Sequence, residues 1–92
     1  MISNEDSIHI EFDDNSILSS LFGVNDINIS TLEKINEVKI IYRGNKVKII
    51  GKKNYIEETR RELEILFKEA KKGIEIDEEK IKDTKSLLFL DN

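Results

Sequence analysis

The sequence predicts an α+β domain in which helices cover one face of a three-stranded antiparallel sheet. The order is strand, helix, helix, strand, strand, helix, with a short C-terminal helix after them. Three observations predict it. Ile8, Ile10 and Phe12 alternate with His9 and Glu11, the period-two pattern of a half-buried strand. Gly44-Asn45 separates two β-rich runs, residues 38–43 and 46–50, as a hairpin turn does. Ile56, Thr59, Leu63, Leu66, Phe67 and Ala70 recur mostly three and four apart, which lays them along one side of a long helix.

Taken in order, the first strand gives way to Asp13, Asp14 and Asn15, which are N-cap candidates. Ile17, Leu18, Leu21 and Phe22 then follow with helical spacing, and Gly23 is placed to end this short helix in a left-handed cap. A second helix carries Ile29, Leu32 and Ile35 as its apolar stripe. Asp26 or Asn28 is placed to cap it, and Ser30 with Glu33 also fits a capping box. Gly-Asn suits a two-residue II′ turn, because Gly tolerates the positive φ of its first position. That turn sets the register: Tyr42 faces Val47 and Ile40 faces Ile49, with Val38 on the same apolar face. Lys39, Arg43, Lys46 and Lys48 fall on the other face, with Ile41 and Ile50. A slip of one residue would bury the charges, so the register is strongly specified. The long helix has a capping box in Asn54 and Glu57 and ends at Gly73, with Arg60, Arg61, Glu62, Glu64, Lys68 and Lys71 covering its outer side. Asp77 then caps a weaker helix that runs through Ile81 to about Leu88.

The 92 residues suffice for one small core, and a net charge of -4 argues against coating nucleic acid or an anionic membrane by bulk attraction. Distribution matters more than the sum. Across residues 38–54 every charged side chain is positive: Lys39, Arg43, Lys46, Lys48, Lys52 and Lys53. Such a stretch reads either as a solvated strand face between acidic helices or as a contact for a polyanion. No apolar run is long enough to span a bilayer, no signal peptide opens the chain, and cysteine is absent, which fits a cytoplasmic home.

Candidate chemistry is sparse. His9, the one histidine, sits at an outward strand position with no partner in the sequence for a catalytic or metal role. Asp13 and Asp14 read as helix caps before they read as a magnesium site. No nucleophile has a base beside it, so the domain by itself is not expected to be an enzyme. Phe12, Phe22, Tyr42 and Phe67 lie at expected core positions rather than on a stacking surface.

The order of elements resembles a type I KH domain, and particular residues match as well. Leu21-Phe22-Gly23 is similar to the apolar-apolar-Gly that opens the KH loop; counting onward, Ile29, Leu32, Val38 and Ile40 fall on the family's apolar positions. The likeness covers roughly residues 8–70. Within that class the wording resembles the N-terminal domain of the PhoH family of phosphate-starvation ATPases. It is carried by residues 21–26, Leu32-Glu33, Arg43-Gly44-Asn45 and the run Lys72-Gly73-Ile74-Glu75-Ile76. The resemblance implies a KH-like domain over residues 7–73 and a C-terminal extension, 74–92, leading toward an ATPase domain. ATP and Mg would belong to that domain, since no Gly-x-x-x-x-Gly-Lys-Ser/Thr occurs here. Leu87, Leu88, Phe89 and Leu90 form an apolar run expected to lack a helix to cover it and to stop short of that neighbour.

In KH domains single-stranded RNA lies in the groove between the first two helices and the second strand, and the loop brings backbone amides to phosphates. Carried over, this makes Gly23, Val24, Asn25 and Asp26 the loop contacts, with Lys34 beside the groove. Lys39, Arg43, Lys46 and Lys48 are the basic contacts of the hairpin. The fourth loop position departs from the pattern, because Asp26 stands where an RNA-binding KH loop has Gly. Two functions follow as expectations. One is an RNA-binding module serving a tethered ATPase. The other is a docking or self-association module working through residues 87–90 without RNA.

Overall fold

The computed structural model describes residues 5–90. Its elements run β1 (Asp6–Glu11), α1 (Asn15–Phe22), a single 3-10 turn (Val24–Asp26), α2 (Ile27–Asn36), β2 (Lys39–Arg43), β3 (Lys46–Gly51), α3 (Lys53–Lys71) and α4 (Glu78–Leu90). This is the expected α+β order. The sheet is antiparallel with β3 in its centre, flanked by β1 and β2.

Tyr42 pairs with Val47 and Ile40 with Ile49, the register that the turn and the apolar alternation specify. Gly44 adopts φ +61° at the head of that turn. The inner sheet face, with Ile40, Val47 and Ile49 buried, packs on the stripe of α3, where Ile56, Thr59, Leu63 and Leu66 are each 1% exposed or less. Phe12 and Phe67 close one end of this core with ring centroids 4.7 Å apart.

Local chemistry sets the boundaries. Asp14 Oδ1 accepts from the amides of Ser16 at 2.9 Å and Ile17 at 3.1 Å, so it caps α1. The Ile17 amide and the Ser16 hydroxyl, in that order, hold its carboxyl below the ordinary aspartate value. Gly23 ends α1 at φ +80° and ψ 175°, a conformation essentially closed to residues with a Cβ. A methyl there would also come within 3.1 Å of Asn28 Nδ2 and 3.2 Å of Ile27 Cγ2. The chain then needs two further left-handed residues, Asn25 and Asp26, to swing into α2.

Several expectations are corrected. The Asn54–Glu57 capping box does not form. β3 runs to Gly51, and α3 starts at once at Lys53, with Lys52 in the N-cap position and no side-chain cap. Asn54 thus lies inside the first turn, and Glu57 instead binds Arg60 Nε at 2.9 Å. The Ser30–Glu33 box fails because α2 begins earlier, at Ile27. Asp26 holds the position before α2 without capping it. Asn28 is no cap either: it is buried and donates from Nδ2 to the carbonyls of Leu21 at 2.7 Å and Ile76 at 2.8 Å.

Glu62, assigned to the solvent side of α3, is 1% exposed because α4 lies over it. Asn36 Nδ2 donates to Glu62 Oε1 at 3.0 Å, and Lys85 Nζ donates to Asn36 Oδ1 at 2.6 Å. The apolar run at residues 87–90 lies within α4, which continues to Leu90. Ile76 and Ile81 join the same core as the sheet and α3, so α4 packs on the body of the domain. Among the described residues, no helix is long and apolar enough to cross a membrane.

Candidate nucleic-acid interface

The register fixes what the uncovered face of the sheet carries. Three rows cross it: Ser7, Ile50, Lys39; His9, Lys48, Ile41; and Glu11, Lys46, Arg43. The four hairpin cations therefore share one face, against a single carboxylate, Glu11, in a corner. Lys39, Arg43, Lys46 and His9 are exposed, and Lys48 is half-buried at the centre. Arg43 stands directly opposite Lys46, and like charges in that position repel.

Several cations of the helices are matched, although among the described residues Lys52, Lys53 and Lys68 make no ion pair. Arg60 binds Glu57 and Glu64, Lys71 binds Asp13, Lys80 binds Glu69, and Lys82 binds Glu78. Among the described residues Lys34, Lys39, Arg43, Lys46 and Lys48 make no ion pair. What sets the four sheet cations apart is that they are all without a carboxylate partner among the described residues and all on one face.

The Gly23–Asp26 loop lies elsewhere, off the edge of β2. Tyr42, expected in the core, is 38% exposed. An edge strand at the mouth of the loop leaves one side of its ring uncovered, while the other side packs on Phe22 at 4.5 Å between centroids. Its hydroxyl donates to Asp26 Oδ1 at 2.7 Å, and that bond raises the tyrosine above its ordinary acidity constant. Farther along β2, the Ile40 amide donates to Glu33 Oε2 at 2.9 Å. Both carboxylates thus sit between α2 and β2. Val24 and Ile27 beside them are 82% and 62% exposed.

Lys34 lines a groove with Ile27, Ser30, Thr31, Glu78 and Lys82, on the α4 side of α2. The structure therefore gathers Lys39, Arg43, Lys46 and Lys48 on one surface, groups residues 23–26 at another, and leaves Lys34 apart from the sheet face. Glu33 and the hydroxyl of Tyr42 belong to this site without being signalled in the sequence. The pairing of a glutamate with a strand amide seven residues onward carries no periodic signature. Among the described residues no three His, Cys, Asp or Glu side chains are grouped to hold a metal ion.

No family model matches the sequence, and no curated protein matches it. Among solved structures, the chain is similar to a protein of unknown function from Aeropyrum pernix, with a TM-score of 0.63 and 14% identity. The match covers 98% of this chain and 53% of that one, so the chain spans about half the length of its structural relative. At this identity the likeness establishes a shared fold.

Proposed function

We propose that this chain is a single-stranded RNA-binding module of the KH type that serves a PhoH-like P-loop ATPase in the cytoplasm, with ATP and Mg held by that other domain. The observation that supports it is the set of unpaired cations on the hairpin, aligned on one face by the register in a domain that is otherwise acidic. Phosphates attract such a face without any help from net charge, and the affinity falls with salt as counterions are released.

Fluorescence anisotropy with labelled oligouridylate at several salt concentrations tests the reading. The logarithm of affinity should fall with the logarithm of salt by about 0.7 for each phosphate neutralised. Arg43→Glu combined with Lys46→Glu should weaken binding by at least roughly tenfold. A wild-type chain that binds no RNA even at low salt and high protein concentration refutes the proposal.

A second reading, a docking or self-association module, is favoured by the last turn of α4, where Leu87, Phe89 and Leu90 are 67%, 75% and 77% exposed. Adjacent apolar side chains left in water favour a partner surface. Light scattering of the full chain should then show a concentration-dependent mass that Phe89→Asp lowers. The same monomer mass for both proteins at every concentration removes self-association from consideration.

A further inference from the structure

The groove between α2 and β2 is poorly suited to phosphates in this chain. Two carboxylates stand in it, and each is fastened to β2: Asp26 by the Tyr42 hydroxyl at 2.7 Å, and Glu33 by the Ile40 amide at 2.9 Å. Those bonds hold negative charge where an incoming phosphate would lie, and they occupy donors that a nucleotide would otherwise use. No lysine or arginine is paired with either acid.

The reverse holds on the open face of the sheet. Lys39, Arg43, Lys46 and Lys48 form a field of like charge interrupted by one acid, Glu11. Along a strand, same-face side chains repeat at roughly 6.6–6.8 Å, and neighbouring strands lie roughly 4.8 Å apart. Charges so spaced can follow successive phosphates of an extended chain. The middle row adds an imidazole, His9, on one side of Lys48 and Ile41, 46% exposed, on the other. Flat or apolar groups beside cations are what a base needs once its phosphate is held.

We infer that the open sheet face, rather than the α2–β2 groove, is the main track for the phosphodiester backbone of single-stranded RNA. Arg43, Lys46, Lys48 and Lys39 hold phosphates, and His9 and Ile41 meet the bases. This rests on the RNA-binding reading above and locates it. Charge complementarity names the occupant. A protein partner would favour an interface depleted of charge at its centre and rich in aromatics, whereas this face has Lys48 at its centre and His9 as its one aromatic ring. Because the contacts are to backbone and to base faces, binding should be tolerant of sequence.

The experiment compares Lys39→Gln/Lys48→Gln, which thins the sheet face, with Glu33→Gln, which removes a charge from the groove. Each is titrated with labelled oligouridylates of about four and about ten nucleotides, since a KH groove alone clamps about four. The wild type should prefer the longer RNA by at least roughly tenfold. The lysine variant should lose that preference, and its salt slope should drop by about 0.7 per lost phosphate contact. Glu33→Gln should leave affinity within about twofold, since the phosphates pass on the other face. Amide shifts of the wild type on adding the longer RNA should centre on His9, Lys39, Ile41 and Lys48, a readout that holds even where a variant folds poorly.

Four results overturn the inference. Shifts confined to residues 23–34, with affinity raised several-fold by Glu33→Gln, place the RNA in the groove. Equal affinity and salt slope for polyglutamate and for RNA make the face a site for acidic protein. RNA binding by the wild type that Lys39→Gln/Lys48→Gln leaves unchanged ends the sheet-face assignment alone; a wild type that binds no RNA ends the functional reading as well.

Discussion

Asn28→Ala should cost the domain about 2–5 kcal/mol, read as a lower urea midpoint and a melting temperature reduced by roughly 10 °C or more. Asn28 is 4% exposed, and its amide nitrogen serves two carbonyls from distant parts of the chain, Leu21 at the end of α1 and Ile76 ahead of α4. Alanine leaves both oxygens buried without a donor, and a buried acceptor stripped of its partner costs about 1–3 kcal/mol. The total stability of a domain this size is about 5–14 kcal/mol, so the loss is a large share of it. Asn28→Asp keeps the shape but offers only acceptors when ionised, so it should be at least as damaging at neutral pH. The deficit of Asn28→Asp should narrow as pH falls, because a protonated carboxyl can donate once. A deficit independent of pH would mean that steric fit, rather than donation, makes Asn28 indispensable.

Lys85→Met should cost about 2–3 kcal/mol at mildly alkaline pH and much less at acid pH. The Glu62 side chain is 1% exposed, and burial pushes its carboxyl above the ordinary value of 4.5, against the lowering influence of Asn36 and Lys85. Among the described residues, Lys85 is the cation paired with that carboxylate, its Nζ 3.7 Å from Glu62 Oε2. A carboxyl whose folded value lies above its unfolded one takes up a proton on folding. Its penalty is therefore absent below about the unfolded value and grows as pH rises through the folded one. Removing the ammonium moves the folded value further up, which widens that window on its alkaline side. Adding Glu62→Gln to Lys85→Met should restore most of the loss, since the amide oxygen still accepts from Asn36. Urea midpoints across the pH range check both points, and a loss equal at all pH values would assign the effect to the lysine's methylene packing.

Particular residues show how much the sequence could tell. Alternation alone placed Ile8, Ile10 and Phe12, and a Gly at the head of a two-residue turn was enough to pair Tyr42 with Val47 and so to put four cations on one face. The spacing within α3 located Ile56, Leu63 and Leu66 in the core. What was illegible depends on contacts between elements that periodicity treats separately. Glu62 lies on the side of α3 that a lone helix would show to water, and only the later arrival of α4 covers it. Asn28 resembles a cap in its local sequence; its bonds reach back seven residues and forward forty-eight. Both expected capping boxes have the right letters, yet the helices begin earlier, at Ile27 and Lys53, where the preceding turn and strand release the chain.

The bond from Ile40 to Glu33 also bears on how copies of the domain behave toward one another. β2 is an outer strand of the sheet, and an outer strand offers a row of backbone donors and acceptors to any extended chain that drifts alongside. A carboxylate already seated on the Ile40 amide withdraws one of those donors and confronts the carbonyls of an approaching strand with negative charge. Zippering of two domains through β2 is thereby opposed near the start of the strand, where fibril growth would otherwise find a template.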